Sequence, residues 1–271
     1  MNIPDIPDIS NSIDYKSFCE KFIYNFKNVG IDFDEKIMQD FYIFTNYLTA
    51  ENKKYNLTAI TDTEEIIIKH FIDSVIILKY FDIPKNSSLI DIGTGAGFPS
   101  VPLYIMRKDL KITFLDSSNK KINFIKKTLN KLGYAGYADG KNNGNRFFCG
   151  RAEDAGKDLE FREKYDFALS RAVAKLNVLC ELAAPLLKHG GYFIAYKSKN
   201  AEAEILESEK ALKIFDLKIT QTIEFNTPQI SQVSTSTQIE ENKRVLIKIE
   251  KTKKTSSKYP RNFSDITRNP L

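Results

Sequence analysis

The sequence predicts an α/β protein, a mostly parallel sheet preceded by a helical segment, and three observations carry that reading. From Ser88 onward short apolar runs alternate with helical patterns, the βαβ grammar of a parallel sheet. The first of those runs, Ser88-Leu89-Ile90-Asp91-Ile92, opens onto Gly93-Thr94-Gly95-Ala96-Gly97-Phe98-Pro99, which reads as strand, tight turn and helix start. Ahead of it, apolar residues recur at helical rather than strand spacing. At 271 residues the chain can bury a sizeable core without crosslinks.

Taken in order, three helices are expected before the glycine loop, over 17–29, 34–52 and 63–81. Phe18, Phe22 and Phe26 mark the first stripe and Ile37, Phe41, Phe44 and Leu48 the second; they read as core faces rather than as an aromatic groove. Thr61 and Glu64 stand at capping-box spacing, which predicts that Thr61 starts the third helix after Asn56-Leu57-Thr58. On that helix His70 and Asp73, at i and i+3, are expected to make a structural hydrogen bond or an interdomain contact rather than an acid/base couple. After strand 89–92 a helix is expected over 99–107, with Pro99 and Pro102 in its first turn, where no intrahelical acceptor is lost. Strand 111–115, helix 119–132 and strand 146–149 follow, then strand 167–169, a helix ending at Leu187, strand 192–196 and helix 201–213. Two late strands, 217–225 and 244–250, close the pattern. Residues 134–145 and 227–242 are polar, without periodicity, and read as surface connections; His189 is expected in a loop beside Gly190-Gly191.

The glycine loop carries the chemistry. Three glycines at i, i+2 and i+4 let the backbone approach a ligand closely, and the N–H groups of the next helix face that ligand. Phe98 stands where the pyrophosphate fingerprint requires its last glycine, so the pattern departs from a dinucleotide site. Asp91 would repel a pyrophosphate and attract an ammonium or sulfonium, which points to S-adenosylmethionine in a cradle of Asp91, Gly93, Gly95 and Gly97. Asp116 closes the second strand about 20 residues further on, where an acid accepts from a ribose diol. Its competing role is an N-cap for the next helix. Arg151-Ala152-Glu153-Asp154 follows the third strand, in the loop that would face adenine.

Composition removes several classes. Cys19, Cys149 and Cys180 are odd in number, far apart and without ligand spacing, so neither a disulfide framework nor a zinc site is expected, and a reducing cytoplasm is. Two histidines in different elements offer no His-based metal centre. Residues 1–11 lack a basic segment followed by an apolar one and do not read as a signal peptide, and no run is long and apolar enough to span a membrane. The net charge of +5 permits an acidic partner without requiring one. Its placement says more: Lys251, Lys253, Lys254, Lys258, Arg261 and Arg268 stand against Asp265 at the C-terminus, with Tyr259 and Phe263 among them. Bases alternating with aromatics suit a nucleic acid, so Lys258 and Arg261, together with Lys197 and Lys199, are expected to contact RNA, apart from the cofactor site.

Several short motifs in sequence order carry a resemblance. Asn56-Leu57-Thr58-Ala59-Ile60, His70-Phe71-Ile72-Asp73-Ser74, the Asp91-to-Pro99 loop, Ser170-Arg171-Ala172 and the ending Lys258-Tyr259-Pro260-Arg261 with Pro270-Leu271 resemble the bacterial glucose-inhibited division protein B family, small-subunit ribosomal RNA guanine-N7 methyltransferases. The resemblance covers most of the chain. It implies a class I S-adenosylmethionine-dependent methyltransferase: a Rossmann-like, seven-stranded, mostly parallel sheet with the last hairpin antiparallel, behind an N-terminal helical cap. The corresponding division is a helical region over 1–84, a methyltransferase domain over 85–251 and a basic tail over 252–271. The implied cofactor contacts fall on Gly93, Phe98, Asp116 with Ser117 and Ser118, Ala152 with Glu153, and Arg171. The implied substrate is small-subunit ribosomal RNA, free or in the assembled subunit, and the protein is expected to act as a monomer. The chain departs from the family pattern at 134–145 and 227–242, which bears on loop contacts rather than on the core site.

Methylation at guanine N7 uses an in-plane lone pair, so positioning supplies most of the catalysis and no general base is assigned. The fourth strand ends in Ser170-Arg171-Ala172-Val173, without the Asn/Asp-Pro-Pro-Tyr of amine methylases or a nucleophilic cysteine. Arg171 is the catalytic candidate, able to donate to or stack on a guanine; the alternative is a structural ion pair with Glu153. Two other functions remain open at this point. A nicotinamide-dependent oxidoreductase would share the fold, and Tyr104…Lys108 and Tyr137…Lys141 have Tyr-x-x-x-Lys spacing, though on the first crossover helix and in a loop. A non-catalytic RNA-binding protein on the same fold is the other.

Overall fold

Asp14 and Asp34 each accept a hydrogen bond at 2.7 Å from the backbone N–H three residues on, Ser17 and Ile37, and so start the helices Tyr15–Val29 and Glu35–Tyr55. The computed structural model describes residues 13–134, 144–228 and 243–271, so most of the two polar connections, and Tyr137 with Lys141, lie outside the described residues. Residues 63–80 form one helical run: Thr63–Glu65, π turns over Ile66–Ile72, then Asp73–Val75 and Ile77–Tyr80. Its cap is Asp62, which accepts from Glu65 N–H at 2.9 Å, and not Thr61 as the spacing suggested. A carboxylate one residue closer to the helix takes the position, and it also suits the positive end of the helix.

The sheet has seven strands: β1 Ser88–Ile92, β2 Lys111–Asp116, β3 Arg146–Cys149, β4 Tyr165–Arg171, β5 Leu187–Lys197, β6 Leu217–Asn226 and β7 Lys243–Lys251. Their order is β3-β2-β1-β4-β5-β7-β6, with β7 antiparallel to both neighbours and the remaining pairs parallel, as the resemblance implied. β5 starts at Leu187 rather than Tyr192. Its pairing with β4 is irregular between Tyr165 and Phe167, so Lys188, His189 and Gly190 ride as an exposed interruption inside a strand. The helix expected over 201–213 is two, Ala201–Glu207 and Glu209–Ile214.

Alternation along the strands assigns residues to two cores. Leu89, Ile194 and Tyr196 join a cluster with the N-terminal helices, while Ile90, Ile92, Phe193 and Ala195 join one beneath the helices Ala152–Lys157 and Leu176–Ala183. In the first cluster Phe22, Phe26, Phe41, Phe44 and Phe71 are fully buried, and Phe98 of the glycine loop enters it, 5.5 Å from the Phe44 ring. The phenylalanine stripes are core faces, and the core they fill is shared with the sheet. Tyr104 is buried there too, while Lys108, partly exposed, pairs with Asp40 at 3.3 Å, so that the two residues serve packing and an ion pair. Among the described residues no helix is long and apolar enough to cross a membrane.

The C-terminal segment packs against the sheet layer. Lys251 is fully buried and donates to Glu163 at 2.9 Å and to the Leu187 carbonyl at 2.7 Å. The Arg162 guanidinium binds the carbonyls of Thr255, Ser256 and Tyr259, and Ile266, in the helix Phe263–Arg268, is buried. Arg261 clasps Glu181, itself 1% exposed, at 2.6 Å through Nη2 and 2.9 Å through Nε. Arg261→Ala strands that carboxylate and is expected to cost about 3 kcal/mol of stability. Urea unfolding checks this as a lowered midpoint at constant slope; an unchanged midpoint would mean that the pair does not anchor the segment.

Candidate active site

The loop after β1 is built for glycine at both ends. At Gly93 (φ +71°) a Cβ would lie 2.7 Å from a Val173 methyl, and at Gly97 (φ +91°) 2.5 Å from a Val101 methyl. Gly95 (φ +59°) has open space, its nearest neighbour 3.9 Å away, so its requirement is backbone conformation alone. The Gly95 N–H donates to Asp116 Oδ2 at 3.0 Å, and the Ser118 N–H donates to Oδ1 at 2.9 Å. Asp116 thus steadies the next helix and the glycine loop together. A carboxylate has about four acceptor positions, so capacity remains for a ribose diol.

Beside Asp116 opens a pocket of about 300 Å3. Of the expected cofactor residues, Gly93, Asp116, Ser117, Ala152 and Glu153 line it. Glu153 is 4% exposed and its nearest cation, Arg151 Nε, is 3.9 Å away. The other expected residues stand behind the wall. Ser118 precedes the helix Asn119–Lys131, Gly95 and Gly97 shape the turn, and Phe98 stacks on His70 at 4.3 Å. Asp91 is fully buried and accepts from Ser100 Oγ at 2.7 Å, while its buried Oδ1 has no hydrogen-bond partner within 3.5 Å among the described residues. A buried carboxylate with a spare oxygen beneath the loop, an acid at the ribose position and an acid after β3 together fit a cationic adenosyl cofactor.

Burial pushes Asp91 up to about 7, against the pull of the nearby hydroxyls and of Arg171. The native state therefore keeps a proton that the unfolded chain loses near pH 4, so this group costs stability as pH rises from about 4 to about 7. A cation bound in the loop favours the ionised form and reverses that cost.

A second pocket, about 590 Å3, meets the first at Ala172 and Val173. Ala172 adopts φ +57°, a strained conformation for a residue with a Cβ, at the boundary between them. Arg171 faces the second pocket, and its ion-pair partner is Asp73 at 2.8 Å rather than Glu153. It also donates to the Lys69 carbonyl at 3.2 Å and lies 5.1 Å from the Phe98 ring centroid. His70 Nδ1 is 3.1 Å from the guanidinium and so accepts, which leaves Nε2–H to donate to Thr58 Oγ1 at 2.8 Å. Burial, together with the Arg171 charge, lowers His70 to about 3 and keeps it neutral. His70 and Asp73 make structural hydrogen bonds, as their spacing allowed, to an arginine about 100 residues away in sequence.

The expected RNA contacts divide. Lys199 and Lys258 are exposed, whereas Lys197 donates to the Ala174 carbonyl and Glu204, both at 2.7 Å, and Arg261 is committed to Glu181. The latter two side chains are spent inside the fold. The pockets add residues that the sequence did not assign to them: Val173 between them, Tyr196 and Arg244 in the second, Lys121 and Phe263 in the first, Phe263 having been read with the RNA-facing tail. Lys121 sits one turn past Asp116 and was within reach of helical spacing; Phe263, from the far end of the chain, was not. Asp116→Ala is expected to weaken S-adenosylhomocysteine binding by about 1.5–3 kcal/mol through loss of charge-assisted hydrogen bonds. Calorimetric titration checks it, and unchanged affinity would remove Asp116 from the ribose.

A family model described as rRNA small subunit methyltransferase G, GidB, matches residues 37–233. A protein named Ribosomal RNA small subunit methyltransferase G from Clostridium botulinum (strain Loch Maree / Type A3) is 43% identical over 244 residues, 90% of this chain and 95% of that one. Its namesake from Oceanobacillus iheyensis is 39% identical over 252 residues, 93% and 98% of the two chains. Among solved structures, the complex between the Haloferax volcanii Trm112 methyltransferase activator and the putative methyltransferase aligns with a TM-score of 0.51 and 16% identity, over 78% of this chain and 98% of that one, a likeness of fold. A glycine loop, an acid at the end of β2 and a sheet of this order accompany identity along nearly the whole length, and the chain belongs to the GidB family of class I S-adenosylmethionine-dependent methyltransferases.

Proposed function

We propose that this protein methylates N7 of a guanine in small-subunit ribosomal RNA, with the base entering the second pocket and the cofactor lying in the first. The observation that supports this acceptor is the state of the titratable groups around the second pocket. His70 is neutral with both ring nitrogens engaged, Asp73 is held by Arg171, and Lys197 is paired with Glu204. Lys69 and Lys175 are paired with Glu65 and Glu207. Tyr196, raised well above its ordinary value by burial, donates its hydroxyl to the Ser74 carbonyl at 2.8 Å. An amine or hydroxyl acceptor needs one of these to take a proton; N7 needs none.

The bound cofactor supplies an electrophilic methyl group on a sulfonium. Asp116 holds the ribose, Glu153 faces the adenine, and the buried Asp91 carboxylate offsets the positive charge from beneath the glycine loop. Arg171, neutralised by Asp73 and fixed by His70, presents the pocket wall against which the guanine is placed. Catalysis is then positioning of two reactants in line.

Two measurements test the reading. Single-turnover methyl transfer at saturating cofactor and RNA is expected to be flat between about pH 6.5 and 8.5, and the product to be cleaved by aniline after mild reduction, since a 7-methylated guanine has a labile glycosidic bond. A rate that climbs tenfold per pH unit, or an aniline-resistant product, would assign another acceptor. Cofactor affinity, by contrast, is expected to rise about tenfold from pH 6 to pH 8 as Asp91 ionises in the free protein, and to lose that dependence in Asp91→Asn. The same slope in wild type and variant would show that Asp91 does not sense the cofactor.

A further inference from the structure

The C-terminal segment reaches the first pocket through Phe263, and nothing in the methyl-transfer chemistry accounts for what it brings there. Phe263 is 41% exposed, yet it lines the first pocket together with Asp116, Arg151 and Glu153. Its exposure is not a consequence of a loose tail. On one side Arg261 is locked to the buried Glu181, and the preceding residue, Asn262, accepts from Lys157 Nζ at 2.9 Å. On the other, Ile266 is fully buried. Between these anchors the Phe263 ring lies 4.5 Å from the Arg151 guanidinium, a contact that steadies both at the pocket rim.

A large aromatic ring fixed at the edge of a pocket, with 41% of its surface exposed and a cation against it, offers apolar surface to whatever enters the pocket. The polar groups of the pocket already distribute a cofactor: Asp116 takes the ribose and Glu153, after β3, faces the heterocycle. The flat apolar ring and the planar guanidinium therefore stand at the heterocycle end. We infer that Phe263, braced by Arg151, closes over the adenine of S-adenosylmethionine, so that the C-terminal segment is a wall of the cofactor site and not an arm held apart for RNA. The inference rests on the cofactor placement proposed above. It also reverses the expectation that the tail and the cofactor site are separate.

The chain contains no tryptophan, which makes Phe263→Trp a sole reporter at this position. Titration with S-adenosylhomocysteine is expected to change its emission saturably, with the midpoint that calorimetry gives for the same variant. Emission that stays constant while calorimetry records binding overturns the inference. Phe263→Ala is the second arm, because a change of one exposed side chain leaves the anchors intact. Its affinity for S-adenosylhomocysteine and for 5′-methylthioadenosine is expected to fall by the same factor, about tenfold, since both carry the adenine that a ring stacks on. Phe263→Tyr is expected to restore it. An alanine variant that binds both ligands as wild type does, or that loses only RNA affinity, assigns the ring to another partner and overturns the proposal. Wild-type protein that binds neither ligand would sink the cofactor placement itself, which separates the two failures.

Discussion

The guanidinium of Arg171 is the contact on which the site depends. It leaves the end of β4, crosses to the third helical segment and is held there by Asp73, the Lys69 carbonyl and His70 Nδ1, beside the Phe98 ring of the glycine loop. Three elements distant in sequence meet on one charge. With its side chain 13% exposed, that charge is tolerable only because Asp73, 9% exposed, stands against it, and Arg244 lies 3.6 Å from the other oxygen of the same carboxylate. The wall of the second pocket is therefore assembled by an ion-pair network, not by any single strand or helix. π turns over Ile66–Ile72 supply the Lys69 carbonyl and the His70 ring to it, in keeping with the association of such turns with functional sites.

The same economy governs the N-terminal helices. Their phenylalanine stripes pack into one cluster with Leu89, Phe114 and Leu246 of the sheet, and Phe98 enters that cluster from the glycine loop. The helices do not form a separate unit that happens to sit nearby: they bury the back of the glycine loop that shapes the first pocket. Position of the loop and packing of the helices are one problem, solved by the same rings. Charge is handled alike. Basic residues that cluster at the C-terminus in sequence are divided by the fold, Lys251 and Arg261 becoming internal struts while Lys258 stays at the surface. A count of charges along the tail describes its composition and not its surface.

Much of this was legible in the residues alone. The alternation after Ser88, the glycine loop, Asp116 at the end of β2 and the helical stripes before them are local patterns, because they arise from contacts within a turn or between neighbouring residues of a strand. Whether Asp116 served a ribose or a cap was open in the sequence; the N-cap is Ser118, and Asp116, whose two oxygens bind the Gly95 and Ser118 N–H groups, retains capacity for a further donor. What the sequence could not express is choice of partner over distance. It offered Arg171 a pairing with Glu153, near in sequence; folding pairs it with Asp73, since β2 and β1 stand between β3 and β4 in the sheet. It placed the C-terminal aromatics and bases with RNA, and folding carries Phe263 to the first pocket, because a buried Glu181 on the helix Leu176–Ala183 needs a cation and Arg261 reaches it. The sequence by itself determined most of the elements, the turn that only glycine can make and the chemistry of the cofactor. Tertiary structure decided which side chains line a pocket and which stand behind it, since burial makes each charge seek a partner wherever the chain can deliver one.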